Sequence, residues 1–253
     1  MRSFVLPETS LSDFKRGITL PKNLTEDLAE LCGIHIGDGY LGYRENVRDY
    51  RIQCFGYTID DKEHYDLYIK QLWKKLFNVD LRLFSRKDNT YGFYIYSKSI
   101  LFFFHNILEM PMGAKSKIIK IPNLIKETCT RGISKEMIAC LRGIIDTDFY
   151  LVLNKGYPEL GAWFASRDLV LDLFYYLKLL GLSPTIRLGV SYYNSSARKV
   201  LVRHQIRIRK SRDINFWFWA IETHNQKFYK RYYCFQRVLG TTIMPQSINA
   251  WQM

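Results

Sequence analysis

Two aspartates, Asp38 and Asp148, close two similar stretches of the sequence. Residues 31–39 read LCGIHIGDG and residues 141–149 read LRGIIDTDF, so Leu, Gly, Ile and Asp recur in register. Each aspartate follows an apolar run typical of a helix, and a carboxylate at a helix C-terminus is disfavoured by about 0.3–1 kcal/mol. A divalent cation bound by oxygen ligands from both copies would offset both costs. The predicted metal site therefore contains Asp38 and Asp148, together with the preceding residues Gly37 and Thr147.

Small residues predict that the two helices pack closely. Gly33 and Gly37 are four positions apart, as are Gly143 and Thr147, so each pair lies on one helix face. Such faces let two helix backbones approach and bring the two aspartates together. The alternative is a helix that simply ends in a polar turn, which explains one copy more readily than two in the same register.

Both nonapeptides resemble the LAGLIDADG motif of homing endonucleases, of the type that carries two motifs in a single chain. Asp38 and Asp148 match the acidic position that binds the catalytic metal in that family, so the resemblance implies Mg²⁺ or Mn²⁺ as cofactor. Gly39 matches the last position of the motif, and Phe149 departs from it. The implied activity is site-specific, metal-dependent double-strand cleavage of DNA at a long recognition site, by an intron-encoded or a free-standing protein.

The elements expected from the sequence occur twice in the same order. The pattern predicts a motif helix, two strands, a helix, a hairpin and a final helix, in an αββαββα repeat. Predicted motif helices cover 24–36 and 135–145, and hairpin strands cover 81–85, 91–97, 185–191 and 200–209. The predicted organisation is a leader at 1–24, repeats at 25–112 and 134–225, a connection at 113–133, and a helix and tail at 226–253. The resemblance implies an α+β fold in which pseudo-twofold-related repeats pack through the motif helices and form a DNA-binding β-saddle.

The charge balance favours a polyanionic partner. Lys and Arg outnumber Asp and Glu by 37 to 24, and the formal net charge is +13. A basic membrane-surface protein is the competing interpretation, but no apolar run approaches the length of a bilayer span. The five cysteines are scattered without a CxxC pair, which favours reduced thiols in an intracellular protein, cytoplasmic and nucleoid-associated or organellar. We expect double-stranded DNA as the partner, no membrane, no obligate protein partner and a monomer.

Alternation along predicted strands suggests a DNA-contacting face. Arg203, Gln205 and Arg207 alternate with Val202, Ile206 and Ile208, which predicts one polar face and one face against the helices. In the major groove Arg reads guanine and Gln reads adenine. A solvated charged face is the alternative for any single residue. The predicted DNA-binding set is Arg51, Gln53, Arg82, Arg86, Tyr94, Tyr96, Arg187, Lys199, Arg203, Gln205 and Arg207.

One departure from the family concerns its active-site lysine. The resemblance implies this lysine at the end of the strand that follows each motif helix by one hairpin. This chain has Gly56–Tyr57 and Ala165–Ser166 there, without a lysine. Lys62, Lys155 and Arg167 are candidate substitutes. Asp146 is a weaker metal candidate because its counterpart is Ile36, and His35 is interpreted as structural.

A DNA- or RNA-binding derivative without cleavage, such as an intron maturase or a transcription factor, is the alternative function. A basic structural component of a ribonucleoprotein is a third.

Overall fold

The chain folds into two repeats with the same order of helices and strands. The structure, a computed structural model, describes residues 3–195 and 198–239, so the predicted tail beyond 239 lies outside the described residues. Before the first repeat, α1 covers Leu11–Lys15. The helices of the first repeat are α2 (Glu26–Asp38), α3 (Thr58–His64), α4 (Lys70–Phe77) and α5 (Lys98–Asn106), and its strands are β1 (Gly39–Arg44), β2 (Asp49–Tyr57), β3 (Phe84–Ser85) and β4 (Thr90–Tyr96).

The second repeat follows a connection that contains the short helix α6 (Asn123–Lys126). Its elements are α7 (Lys135–Asp148), β5 (Tyr150–Asn154), β6 (Tyr157–Phe164), α8 (Arg167–Leu179), β7 (Thr185–Asn194), β8 (Lys199–Ile208) and α9 (Ser211–Ala220), after which comes α10 (Gln226–Leu239). No helix among the described residues is long and apolar enough to cross a bilayer.

The two sheets have equivalent topology. The first has the strand order β1-β2-β4-β3 and the second has the order β5-β6-β8-β7, with antiparallel pairing between all neighbours. One face of each sheet packs on the helices, as the fully buried Ile52 and Ile206 show. The other face, which we call the outer face, carries most of the polar side chains. The predicted α+β architecture of two αββαββα repeats is confirmed.

Both motif helices begin at a side-chain cap. The Thr25 hydroxyl accepts a hydrogen bond from the Leu28 N–H, and the Ser134 hydroxyl accepts one from the Met137 N–H. Each helix continues through its aspartate, so the aspartates are the last helical residues and do not follow the helix as predicted. Extending the helix fixes the direction of each carboxylate relative to the helix axis.

Glycines allow α2 and α7 to pack backbone against backbone. A Cβ added at Gly33 would lie 2.1 Å from the Cys140 carbonyl oxygen, and one at Gly143 would lie 2.2 Å from the Glu30 carbonyl oxygen. No side chain fits in such a gap, because a real Cβ needs more than 3 Å. The predicted close approach of the two helices therefore depends on these two glycines.

Other elements also differ from the sequence prediction. The helix predicted between the first two strands and the hairpin of the first repeat contains a π-helical turn, Tyr65–Ile69, between α3 and α4. The first strand of the hairpin predicted at 81–85 is reduced to Phe84–Ser85, and α6 was not predicted. The last motif position is glycine in the first copy and phenylalanine in the second for a steric reason. A Cβ at Gly39 would lie 2.1 Å from the His35 ring. The second repeat has Ile145 in place of this histidine and accommodates Phe149.

Candidate metal centre and nucleic-acid surface

The two motif aspartates lie together where α2 and α7 end. A Cβ added at Gly37 would be 2.1 Å from the Thr147 hydroxyl oxygen and 3.3 Å from Asp148 Cγ. The Asp148 charge is close enough to raise the pKa of Asp38. The helix packing thus brings the predicted pair of carboxylates to one place, between the two sheets' first strands.

A third carboxylate, Asp61 in the first turn of α3, points to the same place. A Cβ added at Gly56 would lie 2.8 Å from Asp61 Oδ2 and 2.9 Å from Asp38 Oδ2. The Tyr57 N–H donates to Asp61 Oδ2 at 2.8 Å. Glycine at position 56, at the strand end where a lysine was expected, leaves room for these two carboxylates to face each other.

Crowding makes the charged forms of the motif aspartates costly. Burial raises the pKa of Asp38 well above its usual value, and the charges of Asp61 and Asp148 raise it further, while Lys227 opposes them. Asp148 is exposed to solvent on one side, yet the protein around its remaining sides raises its pKa to about 6 against the opposing charges of Lys115 and Lys227. A carboxylate cluster of this kind gains from additional positive charge.

The Tyr65 side chain orients Asp38. Its hydroxyl donates to Asp38 Oδ2 at 2.9 Å and lies 3.2 Å from Cys54 Sγ. Tyr65 is fully buried and is the first residue of the π-helical turn, a local irregularity often found at functional sites. The sequence analysis did not single out Tyr65, because an aromatic residue within a helix is ordinarily part of the core.

Two lysines bring positive charge to the helix ends. Lys115 Nζ donates to the carbonyl oxygens of His35, Ile36 and Gly37, the last at 2.7 Å. Lys227 Nζ donates to Asp61 Oδ1 at 2.9 Å and lies 3.4 Å from the Thr147 carbonyl oxygen. Each lysine follows the last helix of its repeat and returns to the C-terminus of that repeat's motif helix.

The structure does not bring the other basic candidates to this centre. Lys62 is exposed and pairs with Asp66 at 2.6 Å. Lys155 lies in the turn between β5 and β6, and Arg167 begins α8; both are exposed. Lys115 and Lys227 were not predicted, because their positions depend on the return of chain segments far from the motif helices in sequence.

The donor atoms around Asp38 and Asp148 fit a hard divalent cation. The candidate ligands are all oxygens: the carboxylates of Asp38 and Asp148, and the carbonyls of Gly37 and Thr147. Mg²⁺ and Mn²⁺ prefer such ligands. The two carbonyls also contact the ammonium groups of Lys115 and Lys227, so a cation bound there would share them with the lysines.

Asp146 belongs to a separate buried network. Ligand atoms of Glu30, Asp146 and His224 lie within 4.8 Å of one another. The carboxylates already have partners, however: Arg142 Nη2 lies 2.9 Å from Glu30, His224 Nδ1 lies 2.5 Å from Glu30, and the His224 N–H donates to Asp146 at 2.7 Å. We interpret this cluster as a structural link between α2, α7 and the segment before α10. His35 is likewise buried, against Phe104 at 4.7 Å between ring centroids.

On the first sheet, four predicted DNA-binding residues share the outer face. Arg51 pairs with Tyr96 and Gln53 pairs with Tyr94 across β2 and β4, and the two tyrosines are 51% and 48% exposed. Arg86 stacks over the Phe55 ring at 4.8 Å. Arg82 is exposed and lies outside the strands of the hairpin.

On the second sheet the predicted DNA-binding residues differ in how free their polar groups are to contact DNA. The Arg203 guanidinium lies between the rings of Trp163 and Tyr192, at 3.9 and 4.5 Å. Gln205 is buried and donates to the Tyr150 hydroxyl at 3.1 Å.

Arg207, Arg187 and Lys199 complete that set. Arg207 lies 3.9 Å from Glu159, whereas Arg187 and Lys199 are exposed. Ile206 and Ile208 face the helices as predicted, but Val202 is 49% exposed. Its strand extends beyond the region that the helices cover.

Comparison with solved structures places the fold. A variant of the homing endonuclease I-DmoI, in complex with its target DNA nicked in the coding strand and in the presence of manganese, is 21% identical with a TM-score of 0.51, over 81% of this chain and 99% of that chain. A second I-DmoI variant, in complex with its target DNA, is 21% identical with a TM-score of 0.52, over 81% and 98%. The homing endonuclease I-WcaI bound to its DNA recognition sequence is 16% identical with a TM-score of 0.49, over 96% and 92%. No family model and no curated protein sequence matches this chain.

The two I-DmoI matches show the fold. The chain has the fold of the LAGLIDADG homing endonucleases, with both motifs on one polypeptide. The repeated nonapeptides of this chain lie at the ends of α2 and α7.

Proposed function

We propose that this protein is a site-specific DNA endonuclease that makes metal-dependent double-strand breaks at a long recognition site. The observation that carries this proposal is the convergence of Asp38 and Asp148 at the ends of two packed helices. Burial, together with neighbouring carboxylates, raises the pKa values of both aspartates, and such shifts are common at functional sites. The I-DmoI variants of the same fold are in complex with their target DNA.

Asp38 and Asp148 would hold Mg²⁺ or Mn²⁺, with the Gly37 and Thr147 carbonyls as further oxygen ligands. The bound cation supplies Lewis acidity that activates water and stabilises the leaving oxygen of the phosphodiester. Tyr65 fixes the direction of the Asp38 carboxylate through its hydrogen bond. Lys115 and Lys227 hold two ammonium groups beside this centre, where they would attract phosphate oxygens and offset charge that develops during hydrolysis.

The outer faces of the two sheets would form the saddle that contacts DNA. Arg51, Gln53, Tyr94 and Tyr96 in the first sheet, and Arg187, Arg203 and Arg207 in the second, offer donors at strand spacing. A two-stranded ribbon fits the major groove, where such side chains read base edges. Lys199 and Arg86 lie beside the turns of the two hairpins, and these two residues and the exposed Arg82 would contact phosphates. The net charge of +13 supports this assignment.

One chain supplies both aspartates, so we propose a monomer with repeats at 25–112 and 134–225 and a connection at 113–133. No second copy is required to complete the pair of carboxylates. Because the two repeats are related by a pseudo-twofold axis, one motif helix would face each DNA strand. No obligate protein partner would be needed.

A second function is favoured by one observation. The ammonium groups of Lys115 and Lys227 contact the carbonyls of Gly37 and Thr147, the same atoms that a cation would use. A DNA- or RNA-binding derivative, an intron maturase or a transcription factor, could use these lysines as permanent counter-charges and bind no metal.

Selection from a random double-stranded DNA library separates the two functions. The protein is incubated with the library with and without Mg²⁺, and both bound and cleaved molecules are sequenced. The endonuclease proposal expects one sequence family to be bound in both conditions and cleaved on both strands only with Mg²⁺. Selective binding without any cleavage, in Mg²⁺ or Mn²⁺, would favour the binding protein instead.

A further inference from the structure

Helix α10 contacts the first repeat through paired charges. Lys230 Nζ lies 2.6 Å from Glu63, Arg231 Nη2 lies 2.8 Å from Asp60, and Lys227 pairs with Asp61. All three acids belong to α3 of the first repeat, whereas α10 also packs on the second repeat through the buried Phe228 and the Trp217 ring. The helix therefore contacts both sides of the pseudo-twofold interface.

The Lys227–Asp61 pair differs from the other two pairs because it is buried. The side chains of Lys227 and Asp61 are 7% and 6% exposed, whereas those of Lys230 and Glu63 are 70% and 44% exposed. Exposed pairs of that kind contribute little to stability. A buried pair has a defined geometry, and removing either partner is strongly destabilising because the other charge is left buried without compensation.

Asn225 completes the arrangement around Asp61. It is fully buried, and its Nδ2 donates to Asp61 Oδ1 at 2.8 Å and to the Asp146 carbonyl oxygen at 2.9 Å. Its Oδ1 accepts the Lys227 N–H at 3.1 Å, which caps the start of α10. Asp61 thus holds the backbone at the start of α10 through Asn225, and it holds the Lys227 ammonium group directly.

From these contacts we propose that Asp61 is a positioning residue that acts through Lys227. Its carboxylate docks the start of α10 on the centre and holds the Lys227 ammonium beside Asp38 and the end of α7. This role rests on the proposed endonuclease function. Lys115 needs no such residue, because three backbone carbonyls hold it. The two lysines are therefore positioned by different means, and only one depends on a carboxylate from the opposite repeat.

The test is a double-mutant cycle on cleavage of the selected DNA site. In single-turnover reactions at saturating DNA, Asp61→Asn should slow cleavage on the order of 10- to 100-fold with unchanged DNA affinity, the scale expected for a misplaced group. In a Lys227→Met background the same substitution should add almost nothing. In a Lys115→Met background its effect should remain as large as in the parent. The matched control is Asp60→Asn combined with Glu63→Gln, which removes the Arg231 and Lys230 pairs, leaves Lys227 in place and should cleave like the parent.

Hydrogen exchange of the metal-free proteins gives a readout that does not involve cleavage. Asp61→Asn should speed exchange in the first turn of α10, while the Asp60→Asn, Glu63→Gln variant should affect only later turns. If the control slows cleavage as much as Asp61→Asn does, docking of α10 alone matters and the positioning role is rejected. If Asp61→Asn slows cleavage equally with and without Lys227, Asp61 acts directly on the metal or the water and the inference is also rejected. A parent protein that cleaves no library sequence would instead reject the proposed function on which the inference rests.

Discussion

At the scale of single residues, Asp148 combines solvent access with a raised pKa. Burial by the protein around its remaining sides raises the pKa of Asp148, with a further contribution from the charge of Asp61 and against the opposing charges of Lys115 and Lys227, so the folded protein disfavours the ionised form. The folded protein therefore binds a proton more tightly here than the unfolded chain does. This difference makes stability depend on pH in a direction that can be measured.

Without metal, Asp148 should destabilise the fold as the pH rises. Its pKa of about 6 exceeds the value of about 3.9 for an unfolded aspartate, so its protonated form stabilises the fold below pH 4 and that contribution is lost between about pH 4 and 6. Asp148→Asn should remove this loss and give a more stable protein above pH 6. Urea unfolding midpoints in EDTA, measured from pH 4 to 7, test this.

The control for that measurement is Asp80→Asn, which changes an aspartate that is 76% exposed and far from the centre in sequence. It should retain the pH dependence of the parent. Parallel pH profiles for the parent and Asp148→Asn would show that Asp148 is not the strained group.

The sequence revealed the motif aspartates but not the residues that surround them. Asp38 and Asp148 were predictable because a local repeat marks them. Asp61, Tyr65 and Lys227 lie in segments whose own patterns suggested an N-terminal helix turn, a core position and a basic tail. Only tertiary folding brings them to the centre. A weak signal existed for Lys115 and Lys227, since each follows the last helix of its repeat.

At the scale of elements, the packing of α2 on α7 determines the distance between the aspartates. Gly33→Ala would place a methyl group 2.1 Å from the Cys140 carbonyl oxygen, and the helices would have to separate. We expect a loss of about 1–3 kcal/mol in the free energy of unfolding, typical of overpacking, and loss of metal-dependent cleavage. Thermal or urea unfolding and a cleavage assay measure the two effects.

Gly42→Ala is the matched control for the helix interface. Its added methyl would meet only the flexible side chains of Arg51 and Tyr40, at 3.3 Å. It should change stability by far less than Gly33→Ala. Equal stability of Gly33→Ala and the parent would contradict the backbone-to-backbone packing described here.

Strand β8 should distinguish base readout from attraction to phosphates. Arg203 is fixed between Trp163 and Tyr192, so Arg203→Ala should cost about 1–3 kcal/mol on the best site and relax preference at one or two base pairs. Lys199 is exposed near the hairpin end, and Lys199→Ala should weaken all sequences alike and lower the salt slope by about one. Affinities for two site variants at several salt concentrations decide this. Equal losses on every sequence for Arg203→Ala would mean that base readout lies elsewhere.

Element boundaries were predicted better where periodicity is strong than where the chain bends. The motif helices and β7–β8 follow clear patterns, whereas β3 shrinks to two residues and the π-helical turn has no signature in the apolar spacing. Alternation predicts that Val202 faces the helices with Ile206 and Ile208, but Val202 is exposed. Alternation indicates the direction of a side chain and not how far the helix layer extends over the strand.

At the scale of the whole molecule, the pseudo-twofold arrangement accounts for the placement of charge. The two sheets turn their polar faces away from the helices. The ends of α2 and α7 bring Asp38 and Asp148 together, with Asp61, Lys115 and Lys227 beside them. A long duplex could contact both outer faces at once and pass over the centre. The chain's net charge of +13 would then favour association with DNA over a wide surface.

The most direct test of the proposed endonuclease is cleavage of a plasmid that carries the selected site. The parent protein should convert it to linear DNA in Mg²⁺ and leave it intact in EDTA. Asp38→Asn and Asp148→Asn should bind the site with the affinity of the parent and yield no linear product, because each substitution keeps the shape of the side chain and removes the charge that holds the cation. Full linearisation by either variant, or by the parent in EDTA, would contradict the assignment of this centre.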